Sequence, residues 1–234
     1  QLNAVFSQFQ SEGITELVID LRYNGGGSVR TATYLASMIT GQFANQLFYT
    51  EQWNTDRQAA YAENVVFPSS FANGGEAINS LNLNKVHILT TGRTASASEL
   101  VINGLNPYIT VRQVGGTTTG KFQASFLLYD APAPSFSRSG ANSGHTYAML
   151  PLVFKTANAA GATDFVNGLD PDIELTEDHS NLGVLGDVNE PLLAAAINDI
   201  LPTPSPLGLP FNQLKEISES KANSPLYQIM LAED

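Results

Sequence analysis

The feature that most restricts the fold of this chain is an apolar run that ends in a triplet of glycines. Residues 17–21, LVIDL, are almost continuously apolar, which is typical of a strand buried on both faces of a parallel sheet. Asn24-Gly-Gly-Gly27 interrupts the run, and apolar residues at helical spacing resume between Tyr34 and Ile39. A strand, a turn and a helix in this order form the first half of a βαβ unit. The pattern therefore predicts a sheet with at least some parallel strands and flanking helices.

The same order of elements recurs in the middle of the chain. A β-rich run at Val86–Thr91 is followed by a turn and an apolar helical stretch that continues to Leu105, and Val111–Val114 is the expected returning strand. Apolar residues then occupy every second position of Phe122–Leu128, which is typical of a strand, and Tyr147–Phe154 is its expected antiparallel partner. The predicted fold class is α/β, a layered mixed sheet with flanking helices.

Charge and composition exclude several classes of protein. Acidic residues outnumber basic ones by 22 to 11, which gives a formal net charge of −11, and no Lys or Arg occurs between Lys155 and Lys215. No nucleic-acid partner is expected, because such binding needs a basic surface. The chain contains no cysteine, which excludes disulfide frameworks, thiolate metal sites and a cysteine nucleophile. No apolar run approaches the roughly 18 residues that span a bilayer, so no transmembrane segment is predicted.

Proline residues near the end of the chain suggest a domain boundary. Residues 1–201 are expected to form one domain, and residues 202–234 a Pro-rich linker with a short C-terminal segment. The first residues already have the spacing of an amphipathic helix that ends at Gly13, so we interpret the chain as part of a longer protein. The apolar positions of this first helix are Leu2, Val5, Phe6 and Phe9.

Two motifs resemble ligand sites and fail on inspection. Residues 115–121, GGTTTGK, match the GxxxxGK pattern of a phosphate-binding loop. However, Phe122 stands where Ser or Thr would hold magnesium, and the next segment has the pattern of a strand instead of a helix. Asp170-Pro-Asp-Ile-Glu174 resembles the start of a calcium loop, but Leu175 occupies the sixth position, where the loop needs glycine.

Ser96 is the first candidate for a catalytic residue. It stands between a buried strand and a helix, so its hydroxyl is expected at a helix N-terminus, beside backbone N–H groups that could stabilise an oxyanion. The same position suits a structural N-cap, and Ser96 and Glu99 have the spacing of a capping box. Ser98 is an alternative nucleophile. Position alone leaves these interpretations open.

Lys121 is the second candidate, because it stands between Gly120 and an apolar segment instead of on a polar face. A desolvated lysine loses affinity for its proton and can act as a general base. The alternative is a lysine whose ammonium extends to water. The three histidines do not suggest a catalytic triad: His87 is expected in the core, and His145 and His179 in solvated loops.

Three of these segments, in order and at matching spacing, resemble the carboxy-terminal processing, or tail-specific, serine proteases. They are LVIDLRYNGGG at 17–27, TASASEL at 94–100 and Gly-Lys at 120–121, in which Lys121 stands twenty-five residues after Ser96. The resemblance covers most of residues 1–201. It implies the crotonase-like or ClpP-like catalytic core of that family.

The resemblance also implies the roles of individual residues. Ser96 would be the nucleophile, Lys121 the general base, and the main chain of Gly26 or Gly27 together with Ala97 the oxyanion donors. The sequence departs from the family at the orienting group, usually Gln four residues after the lysine. Here Ser125 takes that place and Gln123 precedes it by two residues.

Gln123 is our candidate for the third catalytic residue, since it and Ser125 are expected on the Lys121 side of a strand. The peptide-binding PDZ module that is usual in the family, and the strands expected before Leu2, do not occur in this sequence.

The expected function is that of a serine endopeptidase that hydrolyses unfolded or C-terminally tagged polypeptides through an acyl-enzyme. No cofactor and no metal are implied, and the resemblance suggests a bacterial, extracytoplasmic location in the periplasm or cell envelope. The alternative from another class is a non-catalytic module that binds an apolar ligand or a peptide, as in the repeats of a retinoid-carrying protein of the same fold. A third possibility is an acyl-CoA enzyme of crotonase-like architecture, which would not need a Ser/Lys pair at this spacing.

Overall fold

A computed structural model describes residues 1–72, 74–133, 135–201, 220, 223–224 and 227–232. The helices are α1 (Leu2–Glu12), α2 (Val29–Ile39), α3 (Gln58–Tyr61), α4 (Ala97–Leu105) and α5 (Pro191–Ile200). The first strands are β1 (Val18–Asp20), β2 (Gly27–Ser28), β3 (Leu47–Trp53), β4 (Asn64–Val66), β5 (Lys85–Thr90) and β6 (Thr110–Gly115). The others are β7 (Gln123–Ser125), β8 (Leu128–Tyr129), β9 (Ala148–Met149), β10 (Leu152–Asn158), β11 (Ile173–Glu174) and β12 (Met230–Leu231).

The first sheet contains four strands in the order β1-β5-β6-β11, and all neighbours are parallel. One of its two inner strands, β5, is buried on both faces from Val86 to Thr90, as expected inside a parallel sheet covered on both sides. Val86 and Ile88 contribute to the main core, whereas Leu89 packs in a smaller core with residues of α5. The parallel sheet therefore lies between α5 on one face and the rest of the molecule on the other.

The second sheet contains six strands in the order β2-β12-β7-β10-β3-β4. β10 is antiparallel to both β7 and β3, and β3 is antiparallel to β4. The two-residue strand β12 is parallel to both of its neighbours, β2 and β7, although it lies more than 100 residues farther along the chain. A separate two-stranded ribbon pairs β8 with β9.

The main core lies between the two sheets and is filled by α2, α4 and aromatic residues of β3 and its surroundings. Its largest fully buried side chains include Phe48, Phe67, Met38 and Leu100. α1 packs onto this core through Phe6 and ends at Gly13, whose φ of 68° suits a residue without a Cβ. Leu2 and Val5 are exposed, so the predicted helix is confirmed but half of its expected apolar face is not buried.

Helix α5 begins at an acidic cap that is also half of a buried ion pair. The Glu190 carboxylate accepts hydrogen bonds from the first-turn N–H groups of Leu192 and Leu193. It also pairs with the buried Arg22 guanidinium at 2.8 Å, and Arg22 in turn binds Asp20 at the end of β1. These bonds attach α5 to the strand that leads into the glycine loop.

The predicted α/β class with flanking helices is confirmed, as are the parallel strands at 17–21, 86–91 and 111–114. The expectation that the strand at 17–21 is buried on both faces is wrong, because β1 lies at the edge of its sheet and its residues are half-buried or exposed. The division into a domain over 1–201 and a segment over 202–234 stays a prediction. The proline-rich stretch 202–219 lies outside the described residues, and Met230–Leu231 form a strand of the second sheet. Within the part of the chain that the structure describes, no helix has the length and apolar character needed to cross a membrane.

Candidate active site

The carboxyl ends of three neighbouring parallel strands meet at one edge of the first sheet. β1, β5 and β6 lie side by side and run in the same direction, so the loops that follow them emerge together. The loop after β1 contains Gly25 and Gly26, the loop after β5 leads to Ser96, and the loop after β6 leads to Lys121. The topology thus gathers the three sequence motifs at one place.

Ser96 lies on a sharp turn between β5 and α4. Its φ of 66° and ψ of −117° are in a region that residues with a Cβ rarely adopt, which indicates local backbone strain. The residue is fully buried, and its Oγ has no hydrogen-bond partner among the described residues. A serine held on a strained strand-to-helix turn is typical of a nucleophile.

The capping interpretation of Ser96 is correct for only one half of the capping box. The Glu99 carboxylate accepts a hydrogen bond of 2.7 Å from the Ser96 N–H, as the motif predicts. The Ser96 hydroxyl faces the Glu99 N–H in the arrangement of the box, but it makes no hydrogen bond with any described group. The competing serine is already engaged, because the buried Ser98 hydroxyl donates to the carbonyl of Asn24 at 3.0 Å.

The glycine loop packs directly against the Ser96 turn. A Cβ added to Gly26 would lie 2.6 Å from the Ser96 Cβ and 2.9 Å from the Ala97 nitrogen, and Gly26 has a φ of 103°. Both the close approach and the backbone conformation therefore require glycine at this position. The Asn24 carbonyl holds the contact together by accepting the Ala95 N–H in addition to the Ser98 hydroxyl.

The expected oxyanion donors differ in whether they already take part in a hydrogen bond or a strand pairing. Ala97 is the first residue of α4, so its N–H has no acceptor inside the helix and lies next to Ser96. The Gly26 N–H donates to the side-chain oxygen of Asn24 at 3.0 Å. Gly27 pairs with Met230 of β12. A developing oxyanion would therefore meet the Ala97 N–H directly and would compete with Asn24 for Gly26.

The Glu99 carboxylate connects the Ser96 turn to the Lys121 loop. It is fully buried and accepts four hydrogen bonds, two on each oxygen. One oxygen accepts the Ser96 and Lys121 N–H groups at 2.7 and 2.8 Å, and the other accepts the Gly120 N–H and the Thr118 hydroxyl. Two main-chain segments that carry candidate catalytic residues are thus bound to a single carboxylate.

Lys121 is partly buried, and desolvation lowers the pKa of its ammonium below the ordinary value of 10.5. None of the ion pairs or hydrogen bonds among the described residues involves its Nζ, so no acid stabilises the charged form. The unpartnered Ser96 hydroxyl is not hydrogen-bonded to Lys121 in this state. Hydrogen bonds between catalytic side chains are often long in the absence of substrate. The main-chain N–H groups of Ser96 and Lys121 both donate to the Glu99 carboxylate, which holds the two residues near each other.

The third candidate, Gln123, is the first residue of β7, opposite Lys155 of β10. Ser125, two residues farther along β7, is buried, and its Oγ has no partner among the described residues. No hydrogen bond within the described part of the chain joins Gln123 to Lys121. The assignment of Gln123 stays a prediction.

The three histidines lie where the sequence predicts, away from these residues. His87 is fully buried in β5 and pairs with Asp199 of α5 at 2.9 Å, and burial lowers its pKa. His145 bonds the exposed Asp130, and His179 is exposed.

The acidic turn at 170–174 has a structural role. Asp172 accepts hydrogen bonds from Arg112 and from the Gln113 N–H, and Asp170 accepts one from Thr117. Across the described residues, no group of three or more His, Cys, Asp or Glu side chains could hold a metal ion.

Sequence reasoning identified Glu99 only as half of a capping box and did not single out Thr118 or Asn24. The signal for Glu99 was present in its spacing from Ser96, but its second set of partners lies about twenty residues farther along the chain. Thr118 bridges Glu99 and the Leu169 N–H, and nothing in its own sequence neighbourhood indicates this.

Comparison with known proteins gives a family and several related folds. The model of peptidase family S41 matches residues 1–175. A solved structure from Bacteroides fragilis NCTC 9343, assigned to the S41 proteases, is 31% identical with a TM-score of 0.71, and the match covers 85% of this chain and 48% of that one. No curated protein matches the chain.

Two further solved structures share the fold at lower identity. The photosystem II D1 C-terminal processing protease is 19% identical with a TM-score of 0.52, and the match covers 75% of this chain and 38% of that one. A peptidase structure from Parabacteroides merdae ATCC 43184 is 19% identical with a TM-score of 0.50, with coverages of 86% and 56%. The chain therefore spans about half the length of the solved structures it matches.

Proposed function

The chain belongs to peptidase family S41, and from the geometry around Ser96 we propose that it is a serine endopeptidase that cleaves polypeptides through a Ser96/Lys121 acyl-enzyme mechanism. The observation that carries this proposal is the Ser96 hydroxyl, which is buried on a strained turn at the N-terminus of α4 and has no hydrogen-bond partner in the described part of the chain. A structural serine in such a place would normally cap the helix. The Ser96 hydroxyl is left available for chemistry instead.

In the proposed reaction, neutral Lys121 takes the hydroxyl proton of Ser96 as Oγ attacks the carbonyl carbon of the substrate. The Ala97 N–H, with the glycine loop, stabilises the negative charge that develops on the carbonyl oxygen. Lys121 then returns the proton to the leaving nitrogen as the C–N bond breaks, which leaves an acyl ester on Ser96. A water molecule, deprotonated by Lys121, hydrolyses the ester and restores the Ser96 hydroxyl.

The proposed substrate is an unfolded polypeptide, or one recognised through its C-terminus, and the proposed location is extracytoplasmic. Both proposals rest on the motifs shared with the tail-specific proteases. The burial of Ser96 supports an extended substrate over a folded one, because only a thin segment of chain can approach a serine enclosed by three loops.

A comparison of Ser96→Ala with Ser98→Ala tests the proposed nucleophile. Ser96→Ala is expected to reduce hydrolysis of an unfolded protein at least about a thousandfold. Ser98→Ala should retain more activity, because its hydroxyl is bound to Asn24. A fluorophosphonate probe should form an adduct on the Ser96 peptide, located by mass spectrometry. Equal losses in the two variants would contradict the choice of Ser96, and a folded chain that never reacts would favour the non-catalytic binding module.

A further inference from the structure

The two strands that flank the candidate active site are separated by a strand from the far end of the chain. β2 begins at Gly27, next to the Gly26 that contacts Ser96, and β7 begins two residues after Lys121. These strands do not pair with each other, because β12 lies between them and is parallel to both. If β12 left, the facing edges of β2 and β7 would have unpaired backbone groups, which is a template for another strand.

The contacts of β12 extend to the residues around Ser96 and Lys121. The main-chain nitrogen of Gln228 would lie 3.3 Å from a Cβ on Gly25, and the Gln228 side chain donates to the Thr119 hydroxyl at 3.3 Å. At the other end, the Ala232 N–H donates to the carbonyl of Ser125 at 2.9 Å. The segment 228–232 therefore follows β2 and β7 from the candidate active site outward.

We propose that the gap between β2 and β7 is the binding site for the substrate chain, and that an extended polypeptide enters it in exchange for β12. This inference rests on the proposed function. It is supported by the position of the strand: β12 lies between β2 and β7, and Gln228 just before it reaches Gly25 and Thr119 beside the candidate active site. Main-chain hydrogen bonds from both flanking strands would then hold a substrate of almost any sequence.

One side chain of β12 indicates what the substrate must supply. Met230 is fully buried and belongs to the main core, where it pairs with Gly27 on one side and Ala124 on the other. A strand that replaces β12 must therefore fill this space with an apolar side chain, because a polar one would be buried without partners. The preferred substrate is an extended segment with a large apolar residue at this position.

The gap leads into a cleft that can receive the rest of the substrate. The cleft has a volume of about 1270 Å³, and Ala232, just beyond β12, contributes to its wall. Val29 and Phe126, which directly follow β2 and β7, also line it. The aromatic part of the wall includes Trp53, whose ring stacks against those of Tyr61 and Phe126. Trp53 is the single tryptophan of the chain, so its fluorescence reports on occupation of the cleft.

A disulfide that locks β12 in place provides the first test. Ser28 and Leu231 are directly paired across β2 and β12, and neighbouring strands have the spacing that a disulfide needs. The chain has no cysteine, so Ser28→Cys with Leu231→Cys introduces the only two thiols.

The oxidised and reduced forms of this double variant should differ in activity. In the oxidised form, fluorophosphonate labelling of Ser96 and hydrolysis of an unfolded protein should be slower than in the reduced form by a factor of about ten or more. The single variant Leu231→Cys should not respond to reductant. Equal rates in the oxidised and reduced double variant would overturn the proposal.

A peptide added from outside provides the second test. In Met230→Asp combined with Ser96→Ala, the chain's own strand is weakened and turnover is blocked. The blocked peptide YQIMLA, residues 227–232, should then change Trp53 fluorescence in a saturable manner. Its analogue with Ser in place of Met should bind about tenfold more weakly or worse, because it loses the buried apolar contact. Equal affinities of the two peptides would overturn the apolar requirement. Should Met230→Asp fail to fold, the peptides are compared as inhibitors of labelling in the reduced double variant.

The two tests separate this inference from the proposed function. If the peptide binds with the expected preference but no form of the chain hydrolyses polypeptide or labels at Ser96, the proposed peptidase activity fails and the strand site remains. If the chain hydrolyses polypeptide equally well with β12 locked, the activity remains and the strand exchange is wrong.

Discussion

At the scale of single residues, the environment of Lys121 determines how activity should depend on pH. Burial lowers the pKa of its ammonium below 10.5, and in the proposed mechanism only the neutral amine can accept the Ser96 proton. The rate of peptide hydrolysis should therefore rise with pH through one ionisation that lies below that of an exposed lysine. Lys121→Arg should lose about 100- to 10,000-fold in kcat/KM, because guanidinium stays protonated. An arginine variant with substantial turnover would mean that Lys121 acts only as a cation.

Stability provides the control for the Lys121 variants. The unfolded chain binds the lysine proton more tightly than the folded chain, so this residue lowers stability below its folded-state pKa and stops doing so as the pH rises above 10.5. Lys121→Met should thus be inactive but at least as stable as the unmodified chain at pH 7. Thermal unfolding at neutral pH measures this directly. A large drop in melting temperature would show that the ammonium stabilises the fold.

Glu99 is the residue whose replacement should affect both the site and the fold. Its carboxylate accepts four hydrogen bonds from buried or partly buried groups, two on each oxygen. In Glu99→Gln the side-chain NH2 replaces one oxygen, so two of these donors would face another donor. Each buried donor left without a partner costs about 1 to 3 kcal/mol, so a loss of about 3 kcal/mol in unfolding free energy is expected, with loss of activity. Urea unfolding checks this. Glu174 is exposed, so Glu174→Gln is the matched control and should change the free energy of unfolding by less than about 0.5 kcal/mol.

At the scale of secondary-structure elements, the packing of β12 can be tested by comparing the same Met→Ala substitution in β12 and in β9. Met230 is fully buried in β12, whereas Met149 in β9 is 68% exposed. Met230→Ala should lower the free energy of unfolding by about 2 to 5 kcal/mol, because it removes core contacts and leaves a cavity. Met149→Ala should cost less than about 0.5 kcal/mol. Equal effects in urea unfolding would mean that β12 is not part of the sheet in solution.

At the scale of the whole molecule, an ion cluster joins α5 to the parallel sheet. Asp199 of α5 accepts two hydrogen bonds from Arg112 of β6 and contacts His87 of β5, and mainly the Arg112 bonds lower its pKa to about 2. A carboxyl whose pKa is lower in the folded state adds stability above the ordinary value of 3.8, and this stability is lost as the pH falls through about 2. Asp199→Asn should therefore be less stable at pH 7, and the difference should shrink below pH 4. Urea unfolding across this range is the measurement, and a difference independent of pH would contradict the expectation.

The sequence by itself determined the order of elements and the family. A continuous apolar run, a glycine triplet and a helical period are local signals, so β1, the glycine loop and α2 were predictable from residues 17–39. The spacing from Ser96 to Lys121, together with the motif at 17–27, was enough to indicate the family that the comparison confirms. These features depend on neighbours in sequence, where chain geometry directly limits what a residue can do.

Only the tertiary structure decided how these motifs meet. The contact of Gly26 with Ser96 and the second set of partners of Glu99 arise from the parallel pairing of β1, β5 and β6, which joins residues far apart in sequence. β12 is two residues long, too short for any periodicity, and the free energy that places it comes from burial of Met230 between two other strands. Local patterns cannot contain such information, because the partner that completes each contact lies elsewhere in the chain.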